Sequence, residues 1–334
     1  MGYDGNLCMA LQLCLIGNRH LLVSSADPVY TERELIHIND ELFKFKPKSE
    51  LRSLICDSKT SLSLINRTLE KDTGRLLSNT KDVIDDAPTN APVRTVLIIR
   101  GLERTSDKFQ VALLEIIRNV ETKRKSNLKD TFLIIPIIES IEGNEICLYK
   151  YLQEKFWFRQ PHSINYQTAN YIFNSDPSDS EVSSISSDSI INEDLTVPEL
   201  LSYDGSSPIE DALSKRERID AVSLIPEIKR YILDIMIFIR NHRIVTDGIP
   251  TRFIWEFELL VRCLAIVNNY EYVIPVIVKL AARKFFPLKI NICNYEDEPT
   301  LNWGSDLLMV KMMMNKWNAD LVVEDVLNKV QAPI

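Results

Sequence analysis

The stretch Val96–Glu115, VLIIRGLERTSDKFQVALLE, decides the fold. Its first residues, Val96 to Ile99, form an unbroken apolar run, the pattern of a strand covered on both faces of a parallel sheet. Gly101 interrupts the run, and an amphipathic helix is predicted over Asp107–Arg124. A strand that passes through a glycine turn into such a helix is the repeating unit of an α/β layer.

Working outward, the apolar runs Leu21–Ser24, Thr95–Arg100 and Thr131–Ile138 are predicted strands, with Leu51–Cys56 and Phe156–Arg159 as additions to the same sheet. Helices are predicted over Thr31–Phe45 and Lys59–Glu70, and Asp82–Pro92 reads as a loop from its prolines and acids. Beyond Arg216 the pattern changes. Ile225, Ile228, Ile232, Ile235 and Ile239 recur at helical spacing, as do Phe253, Phe257, Leu260, Leu264 and Val267, and then Ile277, Ala281 and Phe285. These three helices, broken at Thr246-Asp247-Gly248 and Asn268-Asn269, predict a helical bundle. Further helices are expected from Asp306 and from Asn318, which can cap the last one.

Between the two patterns lies a segment of another kind. From residue 160 to 214 there is no Lys or Arg, while ten acidic residues occur around SDPSDSEVSSISSDS. Such a composition offers too little apolar surface to offset its ordering entropy, and is expected to be a disordered acidic insertion. The expected organisation is therefore an α/β domain over 1–161, the Ser-rich insertion over 162–213, a helical domain over 214–290 and a helical extension over 291–334.

The composition excludes several classes. The chain has 334 residues, 45% hydrophobic and 26% charged, enough to bury a core in each of two domains. Its net charge of −8 falls largely on the insertion, so the remainder is nearly neutral and carries no basic stripe for nucleic acid. The longest apolar runs fall well short of the ~20 residues of a membrane span. Asp4 stands where a secretory signal would be basic. The six cysteines are widely spaced, with no C-x-x-C pair and no companion histidines, so they read as reduced thiols and no metal site is expected.

The residues where chemistry could sit are informative by what they replace. A phosphate-binding G-x-x-x-x-G-K-[ST] loop uses backbone N–H groups, a lysine and a hydroxyl to hold phosphates and Mg²⁺. After His20-Leu21-Leu22-Val23 this chain reads Ser24-Ser25-Ala26-Asp27-Pro28-Val29-Tyr30-Thr31-Glu32. Glycine and lysine are missing, Asp27 sets a negative charge there, and Pro28 removes an N–H. The two carboxylates that follow the second such strand in an ATP-hydrolysing protein, one for Mg²⁺ and one for water, are Arg100 and Gly101 here. Arg100 and Arg104 are expected to pair with Glu103 or Asp107 on a solvated helix start. His20, His37, His162 and His242 are scattered and show no catalytic order. Met312-Met313-Met314 and Trp317 read as core.

Arg104 and Gln110-Val111-Ala112-Leu113-Leu114-Glu115 resemble the MoxR and magnesium-chelatase branch of the AAA+ ATPases. The lid of that branch is similar to Ile225–Asp234, Arg240-Asn241-His242-Arg243, Gly248-Ile249-Pro250-Thr251-Arg252, Tyr272-Val273-Ile274-Pro275 and Lys279-Leu280-Ala281. Ile141-Glu142-Gly143 and Leu152–Arg159 look like the segment between them. The resemblance implies an AAA+ P-loop-type parallel sheet with flanking helices followed by an all-α lid. It places Glu139 at the sensor asparagine, Lys155 at the arginine offered to a neighbouring subunit, and Arg252 at the lid's sensor arginine. Arg252 alone is unchanged, and its plainer reading is a surface or cap residue.

The degraded motifs, the length and the insertion together resemble the fungal maintenance of telomere capping protein 2 family. That resemblance implies a part in telomere capping. The expectation is a non-catalytic, intracellular interaction protein, cytoplasmic or nuclear, with no cofactor, no catalytic residue, protein partners, and neither direct nucleic-acid nor membrane binding. The rival expectation is a divergent MoxR-type ATPase remodelling other proteins from within a mixed oligomer.

Overall fold

A computed structural model describes residues 4–45, 50–60, 94–124, 130–139, 148–162, 208–246 and 248–333. The predicted helix Lys59–Glu70 beyond residue 60, the loop Asp82–Pro92, the segment Ile141–Gly143, Cys147 and the insertion from 163 to 207 lie outside the described residues.

The chain divides into two units, one of Met1–Phe156 with Gln160–Leu213, the other of Trp157–Arg159 with Ser214–Ile334. The first is built on a five-stranded sheet of β1 (His20–Ser25), β2 (Leu51–Ile55), β3 (Arg94–Arg100), β4 (Thr131–Glu139) and β5 (Phe156–His162), in the order β2-β3-β4-β1-β5. β2 with β3, β3 with β4 and β4 with β1 are parallel, with Leu51 opposite Val96, Val96 opposite Leu133, and Val23 opposite Ile137. The central strands are buried along nearly their whole length, which is why their sequences read as continuous apolar runs. The fold is α/β, of the AAA+-like kind.

Helices α1 (Gly5–Gly17), α2 (Pro28–His37), α3 (Asp107–Arg124) and α4 (Lys150–Gln153) flank this sheet. Pro28 opens α2 at the position where a missing N–H costs nothing. The single helix predicted over Thr31–Phe45 is instead α2 followed by a wider π-type turn, Ile38–Leu42, and the chain leaves it through Lys44 at φ +52°. The predicted α3 has the expected bounds. α1 is a helix that the sequence pattern did not single out. Leu7 through Ile16 are all buried, so it has no polar face and hence no amphipathic period. Asp4 caps its start through Asn6 N, and Asn18 in the left-handed region closes its end.

The second unit is helical. α5 (Pro208–Glu217) straddles the division, and α6 (Pro226–Arg240), α7 (Phe253–Val267), α8 (Pro275–Phe285), α9 (Leu307–Met314) and α10 (Ala319–Lys329) follow. α6 and α8 each begin on proline, and the carboxylate of Asp306 and the amide of Asn318 cap α9 and α10. Its core centres on Phe257, whose ring lies 5.5 Å from Phe285 and 4.7 Å from Phe286, with Phe253 6.1 Å from Phe285. The buried ammonium of Lys289 sits over Phe253 and Phe285 at 4.6 and 5.4 Å, where the ring faces replace part of its lost hydration.

Candidate functional site

The sheet brings the C-terminal ends of β1, β3 and β4 side by side, and with them the residues singled out above. Between β1 and α2 there are only two residues, Ala26 and Asp27. Asp27 Oδ1 accepts from Val29 N at 3.0 Å and Tyr30 N at 3.1 Å. The carbonyl oxygen of Asp27 accepts from Thr31 N at 3.2 Å, and its own N–H donates to Ser25 Oγ at 3.1 Å. The amides and partial positive charge at the start of α2, the features an anion would use, are thus taken by the chain's own carboxylate.

Next to this turn the charges run opposite to those of an ATP site. Arg100, at the end of β3, places its Nε 3.0 Å from Glu32 Oε2 of α2. The Nε–H does not point along that line, so the contact is an ion pair rather than an aligned hydrogen bond. Ser53 of β2 donates to the other oxygen of Glu32. Arg100 therefore does not pair with Glu103 or Asp107 as predicted. Its strand register points it at α2, a partner far off in sequence. Arg104 donates from Nη2 to Glu139 Oε2 at 2.5 Å and lies 4.0 Å from Glu103. Glu139, which the resemblance set at the sensor asparagine, is thereby neutralised in an exposed pair of small energetic worth.

Gly101 explains its own identity. Its φ is +76°, and a Cβ built there would lie 2.5 Å from the carbonyl oxygen of Cys56. The N–H of Cys56 donates to Arg100 O at 2.8 Å, so the two backbones are held against each other. A carboxylate side chain has no room at this position.

Two other positions can be placed. Lys155 donates to Glu121 within the same unit. Arg252, in the second unit, stands at the exposed N-cap position of α7 with its guanidinium 5.1 Å from the ring centre of Phe253.

The structure assembles one constellation that sequence order concealed. His162, the last residue of β5, has Nδ1 2.9 Å from Thr31 Oγ1 and Nε2 2.9 Å from Glu34 Oε2, 131 residues from the threonine. Asp4 Oδ2 lies 3.9 Å from the same Nε2, Asp4 N donates to Glu34 Oε1 at 3.0 Å, and Tyr30 stacks on the imidazole. The hydroxyl, imidazole and carboxylate stand in triad order, correcting the reading that the histidines have no such neighbours. Thr31 is wholly buried and His162 nearly so, however, so no substrate reaches the hydroxyl. The cluster ties α1, α2 and β5 together.

Its electrostatics give an expected result. Burial raises the carboxyl pKa of Glu34, but the bonds from His162 and Asp4 N lower it further, leaving it below the usual 4.5. A lowered folded pKa means stability that is present above pH 4.5 and lost as pH falls through the folded value. Burial pushes Asp4 the other way, so it works against this loss. Glu34→Gln should cost about 1–2 kcal/mol at pH 7 and flatten the acid limb of stability against pH, read from urea midpoints. An unchanged acid limb would exclude Glu34 as its source.

Among the described residues no group of three His, Cys, Asp or Glu could hold a metal ion, and no helix is long and apolar enough to cross a membrane. The five cysteines among the described residues are buried and form no disulfide with one another. Burial, with nearby carboxylates, pushes the Cys8 and Cys56 thiols up to about 12.

The geometry defines an α/β protein of AAA+-like fold with a helical second unit. A solved structure from Cytophaga hutchinsonii, assigned provisionally as an ATPase, is similar to it over 99% of this chain and 92% of that one, with TM-score 0.57 and 14% identity. By sequence the chain resembles maintenance of telomere capping protein 2: it is 26% identical over 208 residues to that of Saccharomyces cerevisiae, 55% of this chain and 54% of the relative. The counterparts of Kluyveromyces lactis and Lachancea thermotolerans are 24% and 30% identical over 33% and 30% of this chain, and 42% and 37% of theirs. The chain spans about half the length of the curated relatives it matches, or less. No family model matches.

Proposed function

We propose that this chain is a non-hydrolysing AAA+-like protein that works as an interaction module. The observation that carries the reading is the Asp27 carboxylate bonded to the amides of Val29 and Tyr30, where a triphosphate would have to sit. A phosphate brought there meets like charge, and the neighbouring Arg100 is already neutralised by Glu32. No lysine stands in the β1–α2 turn, and Arg100 and Gly101 supply no carboxylate for Mg²⁺. The residues present do not fit Mg·ATP.

Lys155 supports the same reading, since its ammonium is engaged within its own chain by Glu121. A fold without its reaction retains its surfaces, which makes protein partners the natural use. The names of the relatives point that use toward telomere capping, with an intracellular, nuclear or cytoplasmic place. The near-neutral charge balance outside the acidic segment does not argue for direct contact with nucleic acid.

Calorimetric titration with Mg·ATP tests it. The expected result is no binding heat up to about 1 mM nucleotide, and a Kd in the low micromolar range or tighter would overturn the proposal.

A further inference from the structure

The His162 cluster holds a chain of hydroxyls whose direction the imidazole decides. Nδ1 of His162 stands 2.9 Å from Thr31 Oγ1, and that oxygen stands 2.7 Å from Ser25 Oγ and 2.9 Å from the carbonyl oxygen of Asp27. Ser25 Oγ in turn accepts from Asp27 N at 3.1 Å and lies 3.2 Å from the Asp27 carbonyl oxygen. Thr31 has one hydroxyl hydrogen and three acceptors around it, so one of them receives it at a time. Nε2 faces the Glu34 carboxylate at 2.9 Å, which is ionised at neutral pH because its pKa lies below the usual value, so this nitrogen carries a hydrogen in either charge state of the ring. In the neutral ring Nδ1 is therefore a lone pair, and the hydrogen bonds run one way: Asp27 N–H to Ser25, Ser25 to Thr31, Thr31 to Nδ1, and Nε2–H to Glu34.

We propose that Thr31 and His162 form a proton-sensitive relay that acts on the β1–α2 turn: when the imidazole takes a second proton, the Thr31 hydroxyl turns from Nδ1 to the carbonyl oxygen of Asp27. Nδ1–H then donates to Thr31 Oγ1, and the Asp27 carbonyl, which already accepts from Thr31 N at 3.2 Å, gains a second donor. Every donor of the cluster keeps an acceptor in both settings, so neither strands a buried polar atom. The charged groups facing the ring are both carboxylates, Glu34 from α2 at 2.9 Å and Asp4 ahead of α1 at 3.9 Å. Tyr30 of α2 stacks on the imidazole, and Cys8 of α1, beside the two carboxylates, is an un-ionised thiol. Asp27 is also the residue whose carboxylate holds the amides of Val29 and Tyr30, so the relay ends on the turn that caps α2. The relay lies within the first unit and stands whether or not nucleotide binds there.

Nuclear magnetic resonance of the full chain, labelled with ¹³C and ¹⁵N, tests it from about pH 5 to 9. The Asp27 carbonyl carbon should move with the same midpoint as the ring nitrogens of His162. Thr31→Val keeps the shape of the side chain and removes its hydroxyl; the ring should still titrate, and the Asp27 carbonyl should lose at least about two-thirds of its movement. If that variant unfolds, His162→Gln decides, since the Asp27 carbonyl should then stay still across the range. A ring that keeps one charge state throughout overturns the inference, as does an Asp27 carbonyl that does not follow the ring. So does one that follows it equally in Thr31→Val, which would mark a through-space effect, or one that still moves in His162→Gln.

Discussion

Gly101→Glu, which sets a carboxylate after β3, should lower the urea-unfolding free energy by about 2–5 kcal/mol and yield no ATPase activity. Two costs add. A side chain held at φ +76° suffers the left-handed penalty of roughly 1–2 kcal/mol. Its Cβ also meets the Cys56 carbonyl oxygen at 2.5 Å, a backbone atom that the Cys56 N–H to Arg100 O bond prevents from retreating, which adds the 1–3 kcal/mol typical of overpacking. Because the Cβ carries both costs, Gly101→Ala should reproduce most of the loss. If the alanine variant unfolds within about 1 kcal/mol of the wild type, the close approach is not what fixes this glycine.

What could be read from the sequence was what is local or periodic. β3, Gly101 and α3 follow from residues within one stretch, and α6, α7 and α8 from apolar residues repeating every three or four positions with proline at two of their starts. α1 escaped because Leu7–Ile16 are buried on every side, and periodicity is a signal only where one side faces water. The replacements at Asp27, Arg100 and Gly101 were visible as residues, but what they do was not. Asp27 was legible as a charge hostile to phosphate, whereas its capture of the Val29 and Tyr30 amides is a matter of helix geometry. The pairing of Arg100 with Glu32 and of His162 with Thr31 and Glu34 joins residues from separate elements, and only the strand order makes them neighbours. Met314 is buried as its sequence suggested, but Met312 and Met313, read as core with it, are 70% and 40% exposed: composition reports apolarity but not which apolar side finds a partner within the chain.

The Glu32–Arg100 pair should behave as a coupled unit whose halves cannot be removed separately. Both side chains are mostly buried, and Ser53 donates to the carboxylate from β2, so the pair links α2, β3 and β2 at the end of the sheet. Arg100→Leu leaves Glu32 as a largely desolvated, uncompensated anion, and Glu32→Leu leaves the guanidinium in the same position. Each should cost about 3 kcal/mol, toward the lower end for a buried pair broken from one side, because some water still reaches both groups. Arg100→Asp should cost more than Arg100→Leu, since it sets a second carboxylate against Glu32. The double replacement Glu32→Leu/Arg100→Leu removes both charges together and should cost about 1 kcal/mol or less. The four urea-unfolding free energies close a cycle, and the expected coupling is at least about 2 kcal/mol. Additive losses would show that the two charges are satisfied independently and do not act as one unit.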